Sequence, residues 1–281
     1  MNFIKYFITL LIFSNFSFAN PVETGHANVS IVKFDTDSSL KNELFIGIKM
    51  DMQKNWHTYW KNPGDSGGPI EVLWNLPENV TIEGPYWPTP QLLPYPPLMT
   101  YGYKDFVIFP FKVKYKDVNN LTFIDADIDF LICDDVCVPE KASINSSFDA
   151  LKQSERFEEW LLKVPDVTLP ILGSYTKEFL EIRFSHNNTI ADIYFYPDDQ
   201  NTILHSGEQL LIKEENNWLL KIPLQSEGTK ITSAKGLIKI DDASYLVNSD
   251  VTKNEETNVN MSILQAIIFA FIGGIILNLM P

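Results

Sequence analysis

The sequence predicts an all-β protein built from antiparallel sandwiches, and three observations predict it. Short runs rich in Val, Ile, Phe and Tyr recur along the chain, separated by clusters of Gly, Pro, Asn and Asp. Several of those runs alternate apolar and polar residues, the period of a half-buried strand. One short stretch, with Phe157, Trp160 and Leu161 on one face, has helical spacing instead. With 281 residues, 45% of them hydrophobic, the chain has room for two ordinary domains. Its net charge of −14 argues against a nucleic-acid partner, because such binding needs basic surface to displace counterions.

Taken in order, residues 1–19 have the form of a secretory signal peptide. Lys5 precedes the apolar run Tyr6 to Phe13, and Ser17-Phe18-Ala19 closes it with a small-x-small ending before Asn20-Pro21. The mature chain is therefore expected in an oxidising compartment, where two cysteines can pair. Residues 20–150 are expected to form the first sandwich, with strands at 44–50, 106–113 and 121–130. The aromatic run Trp56-His57-Thr58-Tyr59-Trp60 reads as a strand, and Asn62-Pro63-Gly64-Asp65 as turn chemistry. Gly64-Asp65-Ser66-Gly67-Gly68-Pro69 also spells the surroundings of a chymotrypsin-like serine nucleophile. That nucleophile needs a histidine and a carboxylate supplied earlier in the chain. The residues before Ser66 are too few to build that architecture, so a turn is the expected role.

From Gly84 to Pro97 the density of proline excludes a helix or a central strand. A stiff aromatic loop is expected there, with Tyr101-Gly102-Tyr103 as a turn into the next strand. Residues 151–165 are expected to hold a connecting helix capped by Ser154 and ended by Pro165. Residues 166–250 return to strands, at 179–184, 190–196 and 218–224. His186-Asn187-Asn188 reads there as a hairpin turn, with His186 and His205 at the surface. Residues 251–260 are a polar linker, and 261–281 is apolar for the length of a membrane span. Gly273-Gly274 permits close packing against other helices, and the chain is expected to be cut short at Pro281.

Chemistry concentrates in Phe130-Leu131-Ile132-Cys133-Asp134-Asp135-Val136-Cys137-Val138-Pro139-Glu140, which holds both cysteines of the chain. On an extended strand Cys133 and Cys137 would stand roughly 13 Å apart, at about 3.3 Å per residue. A disulfide needs a Cα separation of roughly 4.4–6.8 Å. Either the thiols are unpaired or the backbone turns tightly between them. A structural staple is one reading, although so short a loop contributes only about 2 kcal/mol in the chain-entropy picture. A metal pair, including copper handling, is another, with four histidines in the chain as possible further ligands. A redox pair is the third. Asp134, Asp135 and Glu140 are expected to disfavour thiolates at both sulfurs, as suits a reductant. Cys133, after three apolar residues, should be the more buried of the two.

Three of these stretches carry a resemblance. Tyr59-Trp60-Lys61-Asn62-Pro63-Gly64-Asp65-Ser66-Gly67, Cys133-x-x-x-Cys137-Val138-Pro139-Glu140 and Gly273-Gly274-x-x-Leu277-Asn278-Leu279-Met280-Pro281 resemble segments of the DsbD/ScsB family of transmembrane thiol:disulfide interchange reductases. The resemblance implies two immunoglobulin-like β-sandwich domains, a protein-disulfide reductase activity that needs no cofactor or metal, and an inner-membrane protein with its domains in the periplasm. Its partners would be periplasmic thioredoxin-fold proteins, of the disulfide isomerase or cytochrome c maturation type, and the membrane domain of the same reductase. It makes Cys137 the residue that forms the mixed disulfide and Cys133 its resolving partner. This chain departs from the best-known members in separating its cysteines by three residues rather than five. It also has Leu98-Met99-Thr100 before Tyr101-Gly102, where those members carry two acidic residues and a capping phenylalanine.

Overall fold

A computed structural model describes residues 20–34, 42–226 and 230–254. The expected signal peptide and the expected membrane helix at 261–281 lie outside these residues. Among the described residues no helix is long and apolar enough to cross a membrane.

The first part of the chain runs through β1 (Val22–Glu23), β2 (Ala27–Lys33), β3 (Glu43–Met52), β4 (His57–Gly64), β5 (Glu71–Asn75) and β6 (Val80–Glu83). It continues with β7 (Gln91–Tyr95), β8 (Leu98–Lys104), β9 (Phe106–Tyr115), β10 (Phe123–Cys133), β11 (Cys137–Ser147) and β12 (Lys152–Gln153). One sheet has the order β1-β2-β3-β9-β6, with β12 parallel to β2. The other has the order β11-β10-β4-β8-β7, with β5 also on β10. Both bury their inner faces in one cluster. Ile46, Ile48, Met50, Phe109 and Phe111 from the first sheet join Trp60, Tyr103, Ile128, Phe130 and Ile132 from the second.

β10 shows why the sequence folds this way. Ile124, Ala126, Ile128, Phe130 and Ile132 are buried, while Asp127 and Asp129 between them are exposed. A period of two places every apolar side chain on the core face and every aspartate on the other. The same strand runs antiparallel with β11 over eleven residue pairs, from Phe123–Ser147 to Cys133–Cys137.

Several local expectations change. Tyr101-Gly102-Tyr103 is not a turn but the middle of β8, and both tyrosines are buried. Gly102 is required there because the Thr58 carbonyl oxygen occupies the place a Cβ would take. Pro94 does lie in a strand, yet β7 is the edge of its sheet, where a missing N–H costs no ladder bond. The helix α1 (Phe157–Leu162) starts after Arg156 with no side-chain cap, so Ser154 contributes only its carbonyl, to Phe157 N at 3.0 Å. It packs into the sandwich rather than merely joining two parts. Phe157 and Trp160 belong to the first core, and Phe157 lies where a side chain on Gly47 would stand.

Beyond α1 come β13 (Ile171–Tyr175), β14 (Phe179–Phe184), β15 (Ile193–Pro197), β16 (Leu210–Lys213), β17 (Trp218–Pro223), β18 (Ser233–Ile240) and β19 (Ala243–Lys253). They form one sheet of order β15-β18-β19-β13-β14-β17-β16 around a second core that includes Leu180, Ile182, Phe195, Leu220, Ile222 and Ile238. β19 pairs with β18 over most of its length and with β13 only at Val251–Lys253. The polar run expected as a linker is therefore strand as far as Lys253. His186-Asn187-Asn188 makes no hairpin, because β14 pairs with β13 and β17 whereas β15 pairs with β18.

The two parts meet at the turn motif of β4. Asn62 Nδ2 donates to the Pro197 carbonyl at 2.7 Å, and Gln200 Nε2 donates to the Gly64 carbonyl at 2.5 Å. Lys61 and Asp198 form an ion pair at 2.6 Å. Tyr194, Tyr196 and Leu237 complete the packing against the first core. His205, expected at the surface, is buried in this junction, with Nδ1 2.8 Å from Tyr101 Oη and Nε2 2.8 Å from the Gln200 carbonyl. Spacing along the chain gave no sign of that, since its partners come from β8 and from a loop.

Candidate functional site

Cys133 ends β10 and Cys137 begins β11, so the two cysteines are the last register pair of the hairpin. Asp134, Asp135 and Val136 make the turn, and the Cα atoms stand 4.2 Å apart in a disulfide. The tight-turn alternative is thus the one the chain adopts. Strand alternation puts Ile132 in the core and both cysteines on the outer face of the sheet. The two sulfurs are not equivalent. Cys133 is 1% exposed, whereas Cys137 is open to solvent.

The neighbouring strand supplies the floor. His57 on β4 pairs directly with Cys133, and Tyr59, two residues on, shares its face. Tyr59 Oη donates to Cys133 Sγ at 2.8 Å and lies 3.3 Å from Cys137 Sγ. The tyrosine is 1% exposed, and burial raises its pKa, so it stays a donor. His57 meets it edge to face, with ring centroids 5.3 Å apart. Burial lowers the His57 pKa, partly offset by Asp134, while Lys104 lowers it further.

A cavity of about 340 Å³ opens over the disulfide. Cys133, Cys137, His57, Tyr59, Asp134, Asp135 and Lys104 line it on one side, and Leu93, Pro94, Tyr95, Leu98 and Thr100 on the other. The second group is the β7–β8 hairpin, so the proline-rich stretch and the Leu98-Met99-Thr100 departure together cover the cysteine pair. Ser66 also lines the cavity but is part of no triad. No hydrogen bond joins it to His57, and Asp65 Oδ2 accepts instead from Met99 N at 2.7 Å.

Glu140 does not act on the sulfurs. Its side chain lies on the opposite face of β11 from Cys137, where it holds the amino-terminal strands. It pairs with His26 Nδ1 at 2.5 Å and accepts a hydrogen bond from the Thr24 hydroxyl. Only Asp134 and Asp135, of the three acids expected to bear on the pair, face the cavity. The sequence reading missed His57 and Tyr59 as site residues. Their alternation with Thr58 and Trp60 was legible, but nothing along the chain said that Cys133 would pair opposite His57. Among the described residues no group of three or more His, Cys, Asp or Glu side chains is placed to hold a metal ion.

A sulfur pair on a hairpin tip, one member exposed and one covered, defines a domain equipped for thiol–disulfide exchange. Residues 28–148, the first sandwich without its outermost strands, match the family model of the thiol:disulfide interchange protein DsbD, amino-terminal domain. Residues 28–148 thus carry a likeness to thiol:disulfide interchange proteins of the DsbD/ScsB type. In fold it is similar to the crystal structure of the N-terminal periplasmic domain of ScsB from Proteus mirabilis, at 18% identity and a TM-score of 0.62, over 82% of this chain and 95% of that one. No curated protein matches the chain.

Proposed function

We propose that the Cys133–Cys137 pair carries electrons from a membrane-embedded cysteine pair of the same protein to thioredoxin-fold proteins in the periplasm. On this reading residues 20–150 and 166–250 are two immunoglobulin-like sandwiches, held at the inner membrane by the helix at 261–281. The reduced Cys137 sulfur attacks a partner disulfide, forming a mixed disulfide and releasing one partner thiol. Cys133 then attacks the Cys137 sulfur, the second partner thiol leaves, and the intramolecular disulfide forms. The partner gains two electrons and two protons, and the membrane pair supplies the next two.

The carrying observation is the difference in exposure across one disulfide: Cys137 is reachable and Cys133 lies beneath it. The staple reading has less support. β10 and β11 are already paired along their whole length, so a crosslink at their turn end, across only three intervening residues, constrains little. The test is trapping. Cys133→Ala should accumulate a mixed disulfide through Cys137 with a periplasmic thioredoxin-fold protein, and Cys137→Ala should not. The reverse pattern would exchange the two roles, and no adduct from either variant would return the pair to a staple.

A further inference from the structure

We propose that His57 is the proton-transfer residue of the exchange, taking the thiol proton from the attacking cysteine and returning it to the departing partner sulfur. The inference rests on the reading of the pair as an exchange site.

The geometry points to it. His57 is the register partner of Cys133, and side chains directly opposite on one face of a sheet have Cβ atoms roughly 5 Å apart. The imidazole lines the same cavity as both sulfurs, so a proton can pass directly or through one water. Although half-buried, it has no hydrogen bond to any described residue. By contrast His26 is bound to Glu140, and His205 to Tyr101 and Gln200. A ring that lines the reactive cavity without a fixed partner is free to exchange a proton there.

The other groups facing it are worse suited. Lys104, its register partner on β8, is a cation with no acceptor. Asp134 and Asp135 face the cavity from the exposed hairpin turn, but a carboxylate is a far weaker base toward a thiol than an imidazole is. Tyr59 is held as a donor by its burial. Burial of His57 favours its neutral form, the form that can accept.

The step balances. Cys137 gives its proton to the imidazole, its sulfur forms a bond to one partner sulfur, and the partner S–S bond breaks. The imidazolium protonates the sulfur that leaves. The same cycle serves Cys133 when it attacks the Cys137 sulfur. No further oxidant is needed, because the partner disulfide is the species reduced.

The experiment uses the full-length chain, reduced and desalted, with two disulfide probes. Glutathione disulfide releases a basic thiolate that needs a proton, whereas dithiobis(nitrobenzoate) releases a weakly basic one that does not. His57→Gln should slow the glutathione reaction at neutral pH about a hundredfold more than the aryl one, at the low end of general acid–base effects. Added imidazole should recover part of the glutathione rate in His57→Ala. Equal losses on both probes, or none, would overturn the assignment. Should the variants fold poorly, the wild type still decides: its glutathione reaction should slow in deuterium oxide more than its aryl reaction, and equal slowing would also overturn it. A wild type that reduces neither probe would instead remove the exchange reading itself.

Discussion

Gly67 lies flat on the ring of Tyr59, and a Cβ at position 67 would overlap three of the ring's carbon atoms. Its φ of +104° is a conformation that side chains other than glycine's rarely adopt. The motif Asn62 to Gly67 is thus the wall against which Tyr59 is held, with its hydroxyl on the two sulfurs. What looked like a protease signature is a device for placing one phenol.

From this placement follows an effect on the disulfide itself. A hydroxyl donates more strongly to a thiol or thiolate than to a disulfide sulfur, so Tyr59 favours the reduced form. Tyr59→Phe should lower the reduction potential by about 30 mV, the equivalent of about 1.4 kcal/mol in a two-electron couple. Gly67→Ala should move it the same way by displacing the ring, with a loss of stability of about 1–3 kcal/mol. Equilibration with glutathione redox buffers would measure both. A potential unchanged in Tyr59→Phe would mean that the hydroxyl does not distinguish the two states.

How far the chain could be read depended on distance along it. The β10 alternation, the strand at Phe179–Phe184 and the cysteine turn are local, and period and composition reveal them. The greater burial of Cys133 was legible too, from the apolar residues before it. Pairing was not. His57 reaches Cys133 across 76 positions of chain, and His205 reaches Tyr101 across 104, so neither spacing nor composition records the contact. Gly102 looked like a turn because glycine usually is one, but here it admits the Thr58 carbonyl. Glu140 was misjudged by sequence proximity alone: three residues from Cys137 on a strand is the opposite face.

The junction between the two parts gives a second prediction. Asn62 is 2% exposed and uses both ends of its amide, Nδ2 to the Pro197 carbonyl and Oδ1 from Gly64 N at 3.0 Å. Asn62→Ala would leave a buried carbonyl and a buried N–H without partners, at about 1–3 kcal/mol each before relaxation. Urea denaturation should show a clear loss of stability. Ser66→Ala, four residues on, should stay within about 0.5 kcal/mol of wild type and keep its exchange activity, as a position without a triad requires. Labelling of Ser66 by a fluorophosphonate would contradict that.

The last prediction concerns pH and follows from the burial of His57. Its folded pKa lies below the ordinary 6.5, first because burial disfavours the imidazolium, with Asp134 opposing and Lys104 adding to the shift. An unfolded chain binds the proton more readily, so stability rises with pH wherever the two states differ in protonation. The contribution is fully present above the unfolded value near 6.5. It is lost as the pH falls from there through the folded pKa, below which both states are protonated and the penalty is constant. Replacing the ring removes this dependence. Urea midpoints of wild type and His57→Gln, compared at steps from about pH 8 to about pH 4, should therefore draw apart below pH 6.5. The wild type should weaken by more than the variant, whatever the carboxylates common to both contribute. Parallel curves would mean that the imidazole is as well solvated in the folded protein as in the unfolded chain, and the site would lose the neutral base that the cavity otherwise keeps beside its sulfurs.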